Sequence, residues 1–279
     1  MRVYGIDFTC APSARKPITC ALCRLEDERL YLDALCALES MECFHNLLAS
    51  DGPWVAGMDF PFGLPRDFVQ PMNWPPDWEA YVVSAGSMPA AAFRELAQSV
   101  AAQRAVGYRY SLRDADRVAG AQSPMNVTCP PMGLMFHAGA PSLLASGATV
   151  LPMKSGDPDR TVIEACPTLV AQALIGRRPY KDESSFSVND PRTQARFALL
   201  DALRDDTLSR RYGLRLFGLD VFADELAEDE LGDAIDALMC AVQAAWAWTR
   251  RDAGFGIPSG TDLNEGWIAD PATCPATAA

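Results

Sequence analysis

Short runs in which apolar residues alternate with polar ones, or crowd them out, open the chain. Residues 2–8 (RVYGIDF), 18–25 (ITCALCRL) and 29–35 (RLYLDAL) predict three β-strands. Glu26-Asp27-Glu28 supplies a turn between the second and third, so the three predict an antiparallel meander. Residues 41–49 change period: Phe44, Leu47 and Leu48 fall on one side of a helix. Ser40 stands where its hydroxyl can accept a bond from a free amide of that first turn. Asp51-Gly52-Pro53 stops the helix, and residues 54–58 (WVAGM) predict a fourth strand closing on Asp59. The predicted order is β-β-β-α-β.

The pattern loosens after Asp59. Prolines at 61, 65, 71, 75 and 76, with Trp74 and Trp78 among them, describe an irregular aromatic segment, followed by helical patches at 90–106 and 132–146. Residues 60–160 are therefore read as a large insertion, a lid or substrate region built over one end of the sheet. It lies within a single domain spanning 1–279, and no internal repeat is visible. Residues 161–165 resume as a fifth strand, and 168–175 as a helix ended by Gly176. A further helix is expected near 192–203. The longest runs from about 227 to 249, with acids in its first turn and Arg250 and Arg251 at its end. Leu231, Ile235, Leu238, Met239, Val242 and Trp246 form its apolar stripe. The class is α/β: an antiparallel meander, then parallel strands, in a mixed sheet flanked by helices.

Composition narrows the function classes. Of 279 residues, 49% are hydrophobic and 22% charged, which excludes a disordered chain. The longest largely apolar stretches reach about a dozen residues, short of the roughly 20 that span a bilayer, so no membrane partner is expected. An acid at position 7 interrupts any secretory signal core, and a cytoplasmic location is expected. Nine cysteines, an odd number mostly inside apolar runs, read as reduced, buried thiols. Cys20-x-x-Cys23 lies in a strand-like run without the second pair a zinc site needs. The net charge of −12 weighs against a broad basic grip on nucleic acid. However, eight acids and no Lys or Arg fall between Leu216 and Thr249, so two thirds of that imbalance surrounds one helix.

Five carboxylates stand where chemistry is possible. Asp7 and Asp59 close strands one and four, Glu164 lies near the end of the fifth, and Asp233 and Asp236 share one helix face three residues apart. Each has a plain structural explanation: Asp7 bonding turn amides, Asp59 capping the PFGLP loop, Asp233 sitting at a helix N-terminus, Glu164 capping the helix after Pro167. Asp236 is the hardest to explain so, because it lies beside the apolar stripe. If these acids converge with no compensating base, a divalent cation is implied, and hard oxygen ligands favour Mg²⁺ or Mn²⁺.

This arrangement resembles the ribonuclease-H-like fold. More closely, the chain is similar to domain-of-unknown-function family 429, described as predicted nucleases of that superfamily. The matching pieces are YGIDFT (4–9), GMDFPFGLP (57–65), RDADR (113–117), IEACPT (163–168), the Lys181 region with RFALL (196–200), GDAIDALMCA (232–241) and EGWI (265–268). The resemblance implies a two-metal phosphodiester hydrolase in which Asp7, Asp59 and Asp233 or Asp236 hold the ions, with a nucleic acid or nucleotide as substrate. Glu164 matches a family position and is a further catalytic candidate. The strand-four acid is Asp where many ribonucleases H carry Glu, and the insertion has no counterpart in the minimal fold, so the substrate does not carry over.

Arg113, Lys154 and Lys181 are the candidate substrate contacts. Arg113 and Arg117 could equally pair with Asp114 and Asp116 as a solvated face. Trp74 and Trp78 could stack on bases or close a hydrophobic lid, and His137, beside Phe136, reads as a core histidine. Two other functions compete. Actin-like ATPases and sugar kinases also open on a glycine–aliphatic–aspartate strand, but Phe8-Thr9-Cys10 lacks the second glycine that lets backbone approach phosphate. A non-catalytic metal- or nucleotide-binding protein of the same fold would keep the acids without turnover.

Overall fold

The structure, a computed structural model, describes residues 1–181 and 190–274. Strands β1 (Arg2–Asp7), β2 (Ile18–Glu26) and β3 (Arg29–Leu38) form the predicted antiparallel meander. Helix α1 (Met41–Leu48) follows, and then β4 (Trp54–Asp59). Ser40 caps α1 as expected, its hydroxyl accepting from the Cys43 amide. Residues 60–160 hold α2 (Arg66–Val69), α3 (Trp78–Gly86), α4 (Ala90–Ala102), α5 (Asp114–Ala119), α6 (Met132–Ser146) and the short strand β5 (Ala148–Val150). Then come β6 (Asp157–Glu164), α7 (Pro167–Ile175), α8 (Pro191–Arg204), α9 (Asp206–Tyr212), β7 (Arg215–Phe217), α10 (Ala223–Glu228) and α11 (Asp233–Thr249).

The seven described strands make one mixed sheet in the order β5-β6-β4-β1-β2-β3-β7. β1 pairs antiparallel with β2 but parallel with β4, and β4 pairs parallel with β6. Side-chain alternation separates two cores. Tyr4, Ile6, Ala56 and Met58 join Phe44, Phe136 and Leu143 on the face covered by α1, α3, α4 and α6. Val3, Val55 and Ile163 join Val170, Leu199, Leu238 and Val242 on the face covered by α7, α8 and α11. Alternation also disposes of Cys20-x-x-Cys23, whose two thiols enter different cores. All nine cysteines are free, and Cys43 and Cys129 are exposed rather than buried.

The predicted helix over 227–249 is two helices. The first ends at Asp229, whose backbone is extended, and the second starts after Gly232, which takes the left-handed φ of +72°. The Asp229 carboxylate accepts from the amides of Gly232 and Ala234 and caps the new start. Leu231 thereby leaves the apolar stripe and is exposed. The edge strands β5 and β7, three residues each, carry too little pattern to predict. The fifth predicted strand is the sixth, and it starts at Asp157.

Candidate metal centre at the ends of β1 and β4

Asp7 and Asp59 are the last residues of neighbouring parallel strands and stand directly opposite each other. Two residues earlier, Gly5 and Gly57 form another register pair. Positions two apart share a face, so each glycine lies below its aspartate on the α11 side. Those glycines explain how α11 sits. A Cβ at Gly5 would come within 1.9 Å of the Ala237 carbonyl oxygen and 2.3 Å of the Ala241 amide nitrogen. One at Gly57 would come within 2.3 Å of the Cys240 carbonyl oxygen. The helix backbone therefore rests directly on the sheet, through small residues at 237, 241 and 244. Its first turn carries Asp236 to the strand ends.

One carboxylate oxygen from each of Asp7, Asp59 and Asp236 lies within 4.8 Å of the others. Asp236 is 1% exposed, while Asp7 and Asp59 are half-buried. Burial pushes all three carboxyls up, and their mutual repulsion adds to it. For Asp7 the neighbouring charges are Asp236, Asp233 and Asp59; Asp59 rises to about 7, chiefly from burial and then from Asp236.

A base does face this cluster. Lys181 pairs with Asp236 Oδ2, and the Tyr180 hydroxyl donates to Asp236 Oδ1 at 2.7 Å. Burial works against the Lys181 ammonium, but Asp236, Asp7 and Asp59 outweigh it and hold its pKa above the ordinary lysine range. Arg196, buried on α8, fixes this pair of residues from behind. It donates to the Tyr180 carbonyl at 2.8 Å, to the Ala227 carbonyl at 2.9 Å and to the Thr193 hydroxyl. Neither Tyr180 nor Arg196 was picked out from the sequence. The signal for Arg196 was a charged residue in phase with the apolar face of Ala195, Leu199, Leu200 and Leu203.

The other sequence candidates lie elsewhere. Asp233, half-buried at the first position of α11, is outside the group of three, its carboxyl raised by burial and Asp229. Glu164 pairs in register with Met58, not Asp59, and so belongs to the opposite sheet face. Its carboxylate takes two bonds from Arg113, at 2.5 and 2.8 Å, and one from the Phe62 amide at 2.9 Å. Arg113 is 1% exposed, also chelates Asp116 and donates to the Glu265 carbonyl, so its guanidinium is fully engaged within the protein. Lys154 pairs with Glu79 at 2.8 Å. Trp78 is buried and donates to the Phe62 carbonyl, Trp74 meets Phe68 edge-on, and His137 bonds the Met88 carbonyl. Of the eight candidates, the structure gathers four at one place: Asp7, Asp59, Asp236 and Lys181.

Three converging carboxylates suit a hard divalent cation, which takes oxygen donors and offsets like charges that otherwise repel. Asp7, Asp59 and Asp236 would hold it, and Lys181 is the cation that partly offsets them in its absence.

No curated protein and no solved structure matches the chain. A family model does, from residue 5 to residue 259, across both strand-end aspartates and the helix that carries Asp236. The chain therefore belongs to the family described as "Protein of unknown function (DUF429)".

Proposed function

We propose that the protein is a Mg²⁺- or Mn²⁺-dependent phosphodiester hydrolase, a nuclease with a ribonuclease-H-like sheet. The observation that carries this reading is the convergence of Asp7, Asp59 and Asp236 within 4.8 Å on two strand ends and one helix start. The strand order β6-β4-β1-β2-β3, antiparallel through the meander and parallel beyond it, supports the fold assignment. A divalent cation held by these carboxylates supplies Lewis-acid stabilisation of phosphoryl charge and acidifies water. The chain's own part is to fix three oxygen donors against a helix that cannot shift on its two glycines, and to keep Tyr180 and Lys181 on Asp236. The two-ion form of the mechanism draws in Asp233 as a further ligand, and a Mn²⁺ titration that counts bound ions separates one from two.

The test is a panel of end-labelled single-stranded DNA, RNA and small phosphodiesters incubated with Mn²⁺, with Asp7→Asn alongside. Wild type is expected to cut at least one substrate and Asp7→Asn to lose at least about a hundredfold in rate, as removal of a charge-stabilising group typically does. Absence of cutting by wild type, or cutting that survives Asp7→Asn, refutes the nuclease reading.

A further inference from the structure

A groove of about 530 Å³ runs beside the carboxylates. One wall is the end of α5 with Gly120, a second is α7, and the third is the segment from Gly176 to Lys181. Its lining includes Arg177, Arg178 and Lys181 and, among the described residues, no Asp or Glu. In a chain with 36 acids and a net charge of −12, that is a local reversal of sign. Other cavities mix the two signs: the one at the β2–β3 turn sets Arg29, Arg215 and Arg251 beside Asp27 and Glu28, and the one beside Trp74 sets Arg66 beside Asp262 and Glu265. Lys181 belongs both to the groove and to the metal centre, because its ammonium pairs with Asp236. Tyr180, whose hydroxyl bonds the same carboxylate, lines the groove as well. Gly120 and Gly176 leave two of the walls bare, with nothing within 4 Å of where a Cβ would project.

We infer that this groove is the track along which a single strand of nucleic acid reaches the carboxylates, its phosphates neutralised by Arg177, Arg178 and Lys181. The inference rests on the nuclease reading and adds the substrate's form and path. Arg177 and Arg178 are exposed, and although Arg178 Nε donates to the Ile175 carbonyl at 3.0 Å, both guanidinium groups stay hydrated, as phosphate contacts with counterion release require. A volume in the range of small-ligand sites admits a strand one nucleotide wide and not a duplex. The net charge of −12 weighs against a grip spread over the whole surface.

The experiment measures fluorescence anisotropy of a 5′-labelled single-stranded oligonucleotide in Ca²⁺, from 50 to 200 mM salt. It compares wild type, Arg177→Ala/Arg178→Ala, and Arg29→Ala/Arg215→Ala, the last removing the same charge at the opposite end of the sheet. Thermal melts confirm that all three are folded. The groove variant is expected to bind about tenfold more weakly, with the slope of log K against log salt shallower by about 1.4, at roughly 0.7 per lost phosphate contact. The Arg29/Arg215 variant is expected to match wild type. Equal weakening in both variants, or none in the groove variant, overturns the inference, as does wild type that binds no strand. Mn²⁺-dependent hydrolysis of bis(p-nitrophenyl) phosphate by wild type, measured in parallel, shows whether the nuclease reading has failed with it.

Discussion

Asp59 carries the sharpest conflict between burial and charge. Its carboxyl titrates at about 7, whereas an aspartate in an unfolded chain titrates near about 3.9. The folded state therefore holds this proton more tightly than the unfolded state. Stability from this group is complete below about pH 4, falls as pH rises toward 7, and above that is lower by something on the order of 4 kcal/mol. Asp7 and Asp236 push in the same direction. In EDTA the melting temperature is expected to fall by several degrees between pH 5 and pH 8. Mn²⁺ should restore most of that loss at pH 8 and do little at pH 5, where protons occupy the carboxylates. Asp59→Asn should flatten the EDTA profile and abolish the Mn²⁺ gain. A wild-type melting temperature that stays level across this range would contradict the buried-charge account.

At Gly5 and Gly57 helix α11 meets strands β1 and β4 with no strand side chain between them, and this contact places Asp236. Gly5→Ala forces a methyl group into the Ala237 carbonyl and the Ala241 amide, backbone atoms that no rotamer change can move aside. The helix must lift. Overpacking of this kind costs about 1–3 kcal/mol and at times more, and here it also draws Asp236 away from Asp7. Gly5→Ala is expected to lower both the denaturation midpoint and, in protein that remains folded, Mn²⁺ affinity by about tenfold. Retained Mn²⁺ affinity in a destabilised Gly5→Ala protein would show that the helix position does not set the site. The motifs YGIDFT and GMDFPFGLP held this much in plain view: a glycine two places before an acid, twice, on strands whose alternation was readable. The period-2 and period-3.6 patterns likewise carried β1 to β4, α1, α6, α7 and α8. The interruption before α11 was not readable, because the apolar spacing continues through Leu231 while the backbone breaks at Asp229 and Gly232. The sheet face of Glu164 was not readable for a similar reason. Its face depends on the phase of β6 relative to β4, which pairing determines and local sequence does not. Lys181 reads from the sequence as a substrate contact alone, and its pairing with Asp236 joins residues 55 apart in the chain, beyond the reach of local pattern.

At the scale of the molecule, the sheet separates two cores, and a buried charge cluster at one end binds distant parts of the chain together. Arg113 precedes α5, Glu164 ends β6, Phe62 follows β4, and Glu265 comes after α11; all four meet through one guanidinium and one carboxylate. Asp116 completes the cluster, whose members Arg113, Asp116 and Glu164 are each no more than 2% exposed. Two buried carboxylates share one cation, so removing the cation is the costliest change. Arg113→Ala leaves both acids uncompensated and is expected to lose about 3–5 kcal/mol of stability, the usual cost of breaking a buried pair from one side. Glu164→Gln keeps Asp116 on Arg113 and retains an acceptor for the Phe62 amide, so about 1–3 kcal/mol is expected. In the Arg113→Ala/Glu164→Gln double variant the losses should be less than additive, since the second change removes a charge that the first stranded. Chemical denaturation of the four proteins measures this coupling. Mn²⁺ binding by folded Glu164→Gln separates a junction role from a metal-ligand role. Affinity equal to wild type, with lowered stability, fits a carboxylate on the far face of the sheet from Asp7 and Asp59. Unchanged stability with lost Mn²⁺ binding would instead make Glu164 a fourth ligand and require the strand-end site to reach through to that face.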